Sequence, residues 1–154
     1  MHEYTATVSW QRGSQAFADN RYSRAHEWSF DGGLRVPASS SPLSVPLPMS
    51  DPSGVDPEEA LVAATSSCHM LFFLGIAAKR GFVVDAYADQ AVGLMQKGAD
   101  GKTAITRITL RPAIAFSGAR VPSEEELAAI HHSAHAQCYI ANSIKAEVVV
   151  EGAP

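Results

Sequence analysis

Asp56-Pro57-Glu58-Glu59-Ala60-Leu61 opens a stretch that runs on to Gly81, and its reading decides the fold. Asp56 is a good N-cap, Pro57 suits the first helical position, and Glu59 completes a capping box with Asp56. Gly81 supplies the stop. The spacing predicts a helix from Pro57 to about Arg80, about 36 Å long at 1.5 Å per residue. It is apolar nearly all round: Leu61, Val62, Ala63 and Ala64, then Met70, Leu71, Phe72, Phe73, Leu74 and Ile76. Such a helix belongs at the centre of a structure. This one is long for a small domain to bury alone, so a second subunit is expected to cover part of it.

Outward from the helix, the flanks read as strands. Tyr4 to Trp10 is rich in β-branched and aromatic residues, and a second extended piece, His26 to Phe30, stops at the Asp31-Gly32-Gly33 turn. From Pro37 to Gly54 the chain is dense in proline and serine, an irregular connection long enough to cover something. Beyond the helix, Val83 to Gln96 alternates as one strand, with Val84, Ala86, Ala88, Val92 and Leu94 on one face. The stretch from Lys97 to Lys102 makes a hairpin connection. Thr103 to Phe116 then turns Ile108, Leu110, Ile114 and Phe116 inward. Pro112 on that inward face points to an edge or a bulge. Ser123 and Glu126 form a second capping box, opening a helix from Glu124 to about Gln137, and Lys145 to Glu151 is the last strand. The order β-β-α-β-β-α-β, joined by hairpins rather than crossovers, makes the fold α+β. No repeat or composition break divides it, so residues 1–154 read as a single domain.

Composition narrows the function. The 154 residues are 46% hydrophobic and 18% charged, with a net charge of −4 and no face that gathers lysine and arginine, which argues against nucleic acid. The apolar run Met70–Ala78 is about half of what a bilayer span needs. The expectation is a soluble, cytoplasmic protein with no membrane partner. In a reducing compartment two cysteines are more often free, catalytic or metal-bound than bridged.

Those cysteines are Cys68 and Cys138. Cys68 lies in Thr65-Ser66-Ser67-Cys68-His69-Met70, the polar notch of the apolar helix. Deep apolar burial silences a thiol by raising its pKa, so a reactive Cys68 needs a cation or donors from outside its own helix. Peroxide reduction asks for a thiolate, a positive group beside it, and a second thiol to trap the sulfenic acid, with no bound cofactor. Cys138 is a candidate for that second thiol. Two unrelated core cysteines are the plain alternative.

The helix Asp56-Pro57-Glu58-Glu59-Ala60-Leu61, Ala63-Ala64, Ser67-Cys68-His69-Met70 and the following Gly81-Phe82-Val83-Val84-Asp85 resemble the central helix of the OsmC/Ohr family of thiol-dependent peroxidases. The stretch Ala134-His135-Ala136-Gln137-Cys138-Tyr139-Ile140-Ala141-Asn142-Ser143 is similar to that family's second-cysteine motif. The resemblance implies an OsmC-like fold, with antiparallel sheets around long central helices in an intertwined homodimer whose active sites lie at the interface. It implies reduction of organic hydroperoxides, and of hydrogen peroxide in some members, with a dithiol such as a dihydrolipoyl group as reductant. By position, Cys68 is peroxidatic, Cys138 resolving and Glu58 the acid that works with an arginine on the thiolate. The arginine belongs to the first hairpin, where Arg24 stands at the family's distance before the turn; Arg12 and Arg21 are the other choices, and residues 13–21 read as an insertion. Glu58 lies about 15 Å from Cys68 along the helix and about 80° around it. It reaches Cys68 only from a second subunit or across a broken helix.

A rival reading uses the histidines. His131, His135 and Cys138 fall at i, i+4 and i+7, with His132 beside them, a spacing that suits a zinc or small-ligand carrier with Cys68 or His69 as a further ligand. Plain packing is the simpler account of the same residues.

Overall fold

Every start and stop signal around the central stretch is used. In this computed structural model, which describes residues 1–151, α1 spans Pro57–Lys79. Asp56 Oδ1 accepts the Glu59 N–H at 2.8 Å, and the Glu59 carboxylate accepts the Asp56 N–H at 3.4 Å. At the other end Gly81 has φ 81°, a conformation that suits glycine. The Phe82 N–H reaches Ala77 O at 3.0 Å and the Gly81 N–H reaches Ala78 O at 3.0 Å, the paired bonds of a Schellman stop.

The chain falls into two compact units, Met1–Ala60 and the residues from Leu61 onward. The first holds an antiparallel sheet of β1 (Ala6–Ser9), β2 (His26–Phe30) and β3 (Arg35–Ala38), in that order. β3 was not expected. It lies at the mouth of the proline-serine stretch and takes Pro37 on an edge strand, where a missing N–H is tolerated. The first turn of α1 belongs to this unit.

The second unit corrects the strand reading. Val83–Gln96 is two strands, β4 (Val83–Asp89) and β5 (Val92–Lys97), in different sheets. Thr103–Phe116 likewise divides at Arg111 into β6 (Thr103–Leu110) and β7 (Pro112–Ser117). β4 pairs with β7 and β5 with β6, both antiparallel. The two breaks oppose each other and are tied together, with the Arg111 N–H donating to Asp89 Oδ1 at 2.6 Å. A bulge between Val84 and Ala86 also shifts the register, so Tyr87 and Asp89 turn inward while Ala86 and Ala88 face out. One bulge residue moves every later side chain to the other face. Pro112 is buried as the first residue of its strand.

After β7 comes α2 (Glu124–Gln137), opened by the expected capping box of Ser123 and Glu126. A single 3₁₀ turn, Ala141–Ser143, leads to β8 (Glu147–Val150). β8 lies parallel to β6, so one crossover exists where only hairpins were expected. The fold remains α+β.

The core of the second unit is Phe73, Ala77 and Phe82 against Ile130 and Ala134 of α2. The buried residues of α1 are Thr65, His69, Phe73 and Ala77, one stripe at four-residue spacing. The helix is long and apolar enough by length and composition to cross a membrane, yet only this stripe is fully buried, and Leu71 stands 62% exposed. On another face β5 comes so close that a Cβ on Gly93 would meet the Val62 methyl at 2.6 Å.

Candidate active site

Cys68 projects from the middle of α1, and Cys138 is the C-cap of α2. The fold brings these sequence-distant residues near enough for the Cys68 thiol to influence that of Cys138, and both are free cysteines. Their surroundings differ. Cys68 is partly exposed, whereas Cys138 is 1% exposed. Burial pushes the Cys138 thiol above its ordinary value and Cys68 adds to the rise, while the Ala141 N–H, donating to its sulfur at 3.4 Å, pulls the other way. Beside the sulfurs, the Phe72 ring meets Tyr139 edge-on with centroids 5.0 Å apart. This contact repeats one helical turn on the approach that the cysteines make.

The polar notch around Cys68 has structural work. Thr65 Oγ1 donates back to Leu61 O at 2.8 Å, and the Ser66 hydroxyl donates to Asp89 Oδ2 at 2.5 Å. His69 turns away from Cys68 into the interior, where its Nε2 lies 3.0 Å from His131 Nδ1 and the two rings are nearly parallel. Phe73 packs on His131 with centroids 4.5 Å apart. Burial first, then the nearby His131 and His135, lowers His69 to about 4, with Asp89 opposing. Burial lowers His131 too, against the same Asp89. Both rings are therefore neutral at neutral pH and share a single proton across their contact. His69 Nδ1, His135 Nδ1 and the Tyr87 hydroxyl are buried without a hydrogen-bond partner among the described residues. The sequence carried no short-range sign of this pair, because its members are far apart in the chain.

The rival ligand set does not assemble. Among the described residues no group of three or more histidine, cysteine or acidic side chains is placed to hold a metal ion. His131 turns inward to His69, and Cys138 lies past the helix end with ψ 112°, off the face that the i, i+7 spacing assumes. His132 is exposed.

The three candidate arginines lie in the first unit. Arg12 donates to Gln15 O at 2.9 Å, and Arg21 is exposed. Arg24 is half-buried, with Nη1 donating to Asn20 O at 3.0 Å and to Tyr22 O, and Nη2 donating to Asn20 Oδ1 at 2.7 Å. Glu58 occupies the first turn of α1, partly buried. Because α1 is unbroken, Glu58 and Cys68 of one chain stay about 15 Å apart along it.

An α+β domain with two neighbouring thiols, one on a long central helix and one at the end of the second, defines a cysteine-pair protein. Residues 50–152 match the OsmC-like protein family, and the chain belongs to it. An OsmC-like protein of unknown function from Vibrio cholerae is 54% identical, covers 98% of this chain and 99% of its own, and superposes with a TM-score of 0.96. An organic hydroperoxide resistance protein from Elizabethkingia anophelis, solved with crystallant-derived thiocyanate bound, is 15% identical with a TM-score of 0.69, covering 97% of this chain and 93% of its own. The organic hydroperoxide resistance protein OhrB of Bacillus subtilis is 18% identical with a TM-score of 0.65, covering 96% and 97%. These last two share the fold. No curated protein matches the chain.

Proposed function

We propose that the protein is a thiol-dependent peroxidase that reduces organic hydroperoxides, and hydrogen peroxide as well, as a homodimer of single-domain chains in the cytoplasm. The observation that carries this reading is the proximity of Cys68 to Cys138, in a family whose fold is shared by proteins named for organic hydroperoxide resistance. The unequal environments favour one division of roles. An attacking thiol must be reachable by a soluble substrate, and Cys68 is the accessible one. Cys138, buried and held as a thiol, suits the resolving step.

The Cys68 thiolate attacks the outer peroxide oxygen and the O–O bond breaks. The alkoxide takes a proton to leave as alcohol, and Cys68 becomes a sulfenic acid. Cys138 then attacks that sulfur; its proton and the departing hydroxide form water, and a disulfide results. A dithiol, of which a dihydrolipoyl group is the favoured kind, returns both cysteines to thiols. Arg24 is the group proposed to hold the thiolate and the developing alkoxide, since its fork stays charged and pairs with a carboxylate in two hydrogen bonds. Glu58 of the partner subunit is the proposed carboxylate, because the unbroken α1 keeps a chain's own Glu58 from its own Cys68. The bare face of α1 and the exposed β1 favour the dimer.

The test is cumene hydroperoxide added to the reduced protein with dihydrolipoamide in excess. Expected are peroxide consumption and, without reductant, a Cys68–Cys138 disulfide in the peptide map. Protein that leaves the peroxide intact and keeps both thiols free would end the proposal.

A further inference from the structure

Residues 13–21, the segment that reads as an insertion, fold back toward Arg24 within the first unit. The Ser23 N–H donates to Gln15 Oε1 at 2.7 Å, and the Trp10 indole N–H donates to Ser23 O at 2.9 Å. Phe17 stacks on Tyr22 with centroids 4.6 Å apart. The Asn20 N–H closes a turn on Phe17 O at 3.0 Å. The turn leaves Asn20 beside the Arg24 guanidinium.

The backbone of Arg24 is pinned on both sides. Its N–H donates to Met49 O at 2.7 Å. His26 Nε2 accepts the Trp28 indole N–H at 3.0 Å, so the His26 proton lies on Nδ1, which donates to Arg24 O at 2.7 Å. A fixed backbone does not by itself aim an arginine, because the long side chain keeps its rotamer freedom. Asn20 takes that freedom away. Its backbone O accepts from Nη1 at 3.0 Å and its Oδ1 accepts from Nη2 at 2.7 Å. Tyr22 O accepts from Nη1 as well, and the Tyr22 ring centroid lies 3.8 Å from Cζ. To turn both oxygens to the fork Asn20 adopts φ 60°, a left-handed conformation that asparagine tolerates better than most residues.

Every acceptor in this grip is neutral. The ion pairs among the described residues use Arg35, Arg107, Arg111 and Arg120. An aspartate at position 20 would offer the same shape and spend the charge of Arg24 on holding it; asparagine holds the fork and leaves its charge whole. The grip also takes only the end of the fork. Nε and the second Nη2 proton remain as donors, the pair that meets a carboxylate in two parallel hydrogen bonds. We propose that Asn20 is the positioning residue for Arg24, fixing its fork while leaving its charge to the Cys68 thiolate and its side edge to Glu58 of the partner subunit. The inference rests on the peroxidase reading, in which Arg24 holds that thiolate, and it gives residues 13–21 a task in the site.

The pH dependence of Cys68 alkylation by iodoacetamide, followed by peptide mapping of the reduced full chain, tests it without peroxide. Cys138, the titratable neighbour of Cys68, and Tyr22 and His26, those beside Arg24, are the same in every variant. Asn20→Gly keeps the left-handed backbone at no steric cost and removes only Oδ1. Asn20→Asp keeps the shape and compensates the charge. Arg24→Gln removes the guanidinium. All three should raise the alkylation midpoint, by on the order of one pH unit for Asn20→Asp and Arg24→Gln and by less for Asn20→Gly. In the cumene hydroperoxide assay Asn20→Gly should lower kcat/KM about tenfold, the scale of one charged hydrogen bond, and should cost nothing further in the Arg24→Gln chain. A residue that only folds the loop would leave the midpoint in place in Asn20→Asp and would act equally with or without the guanidinium. A midpoint that Arg24→Gln raises and neither Asn20 substitution moves would overturn the assignment and leave the peroxidase reading intact. So would an Asn20→Gly loss that persists in the Arg24→Gln chain. A midpoint unmoved by Arg24→Gln would overturn it too, by removing the effect that Asn20 is there to direct. Midpoints that move as expected in a chain that leaves peroxide untouched would end the peroxidase reading and keep the assignment of Asn20.

Discussion

Cys68 and His69 are neighbours on α1, and each finds its like on or at the end of α2: Cys68 meets Cys138, and His69 meets His131. The two pairs have opposite fates. Consecutive residues on a helix point about 100° apart, and that rotation leaves the Cys68 thiol partly open to solvent while His69 is 1% exposed. The imidazole pair is driven neutral by burial and cannot readily take up a proton. In the thiol pair only Cys138 is sealed. One strip of one helix thus carries a pair suited to exchange electrons with solutes and a pair withheld from proton exchange. Access, more than residue type, separates them.

Removing the accessible thiol tests that contrast most severely. Cys68→Ser should lower peroxide consumption by roughly 10³-fold or more, the scale on which loss of a nucleophile acts. A rate within a few-fold of the unsubstituted chain in a cumene hydroperoxide assay would mean that the exposed thiol is not the nucleophile. Cys138→Ser should act differently, sparing the first turnover and blocking the second. One equivalent of peroxide should disappear and Cys68 should remain as a sulfenic acid that dimedone captures. Sustained turnover by this variant with dihydrolipoamide would show that the buried cysteine is dispensable for resolution.

The thiol half of this comparison was legible in the sequence and the imidazole half was not. The N-cap, the proline at the first helical position and the terminal glycine are local signals, so α1 could be read almost to the residue. α2 announced itself by Ser123 and Glu126 in the same way. Both cysteines could be picked out as a pair because their flanking residues resemble family motifs. The His69–His131 contact depends on how two helices rotate against each other, and no local pattern records that. The strands around Gln90 and Arg111 failed for a related reason. A bulge and a kink keep the sequence alternating while the backbone changes sheet, and only pairing partners reveal it. In the first unit the aromatic cluster of Trp10, Phe17 and Tyr22 went unread, because Phe17 lies in the segment, residues 13–21, that read as an insertion.

The imidazole pair has its own signature in the pH dependence of stability. His69 titrates near 4 when folded and near its ordinary value of about 6.5 when unfolded. Between these values the unfolded chain binds a proton that the folded chain does not. Stability is therefore whole above about pH 6.5 and is lost as the pH falls toward 4. A gap of this size corresponds to a loss on the order of 3 kcal/mol, with His131 adding in the same direction. Urea unfolding at pH 7.5 and pH 5 should read about 2 kcal/mol of it, and His69→Gln should flatten the slope. A chain equally stable at both values would mean that the pair is not withheld from protons as its burial requires.

The smallest effect is expected where both pairs share a support. α2 carries His131 and ends at Cys138, and its start is fixed by the Ser123 hydroxyl accepting the Glu126 N–H at 3.2 Å while the Glu126 carboxylate takes the Ser123 N–H at 3.0 Å. Ser123→Ala removes the first of these bonds and should cost about 1 kcal/mol in urea unfolding, the usual worth of an N-cap. The loss arises more than three turns from Cys138, and capping effects fade within the first turn of a helix. The rate of peroxide consumption should therefore stay within about twofold, and so should the slope of stability against pH. If either moved with the cap, α2 would be acting as a lever on one of the pairs, and the local difference in access between Cys68 and His69 would no longer be enough to explain their separate chemistry.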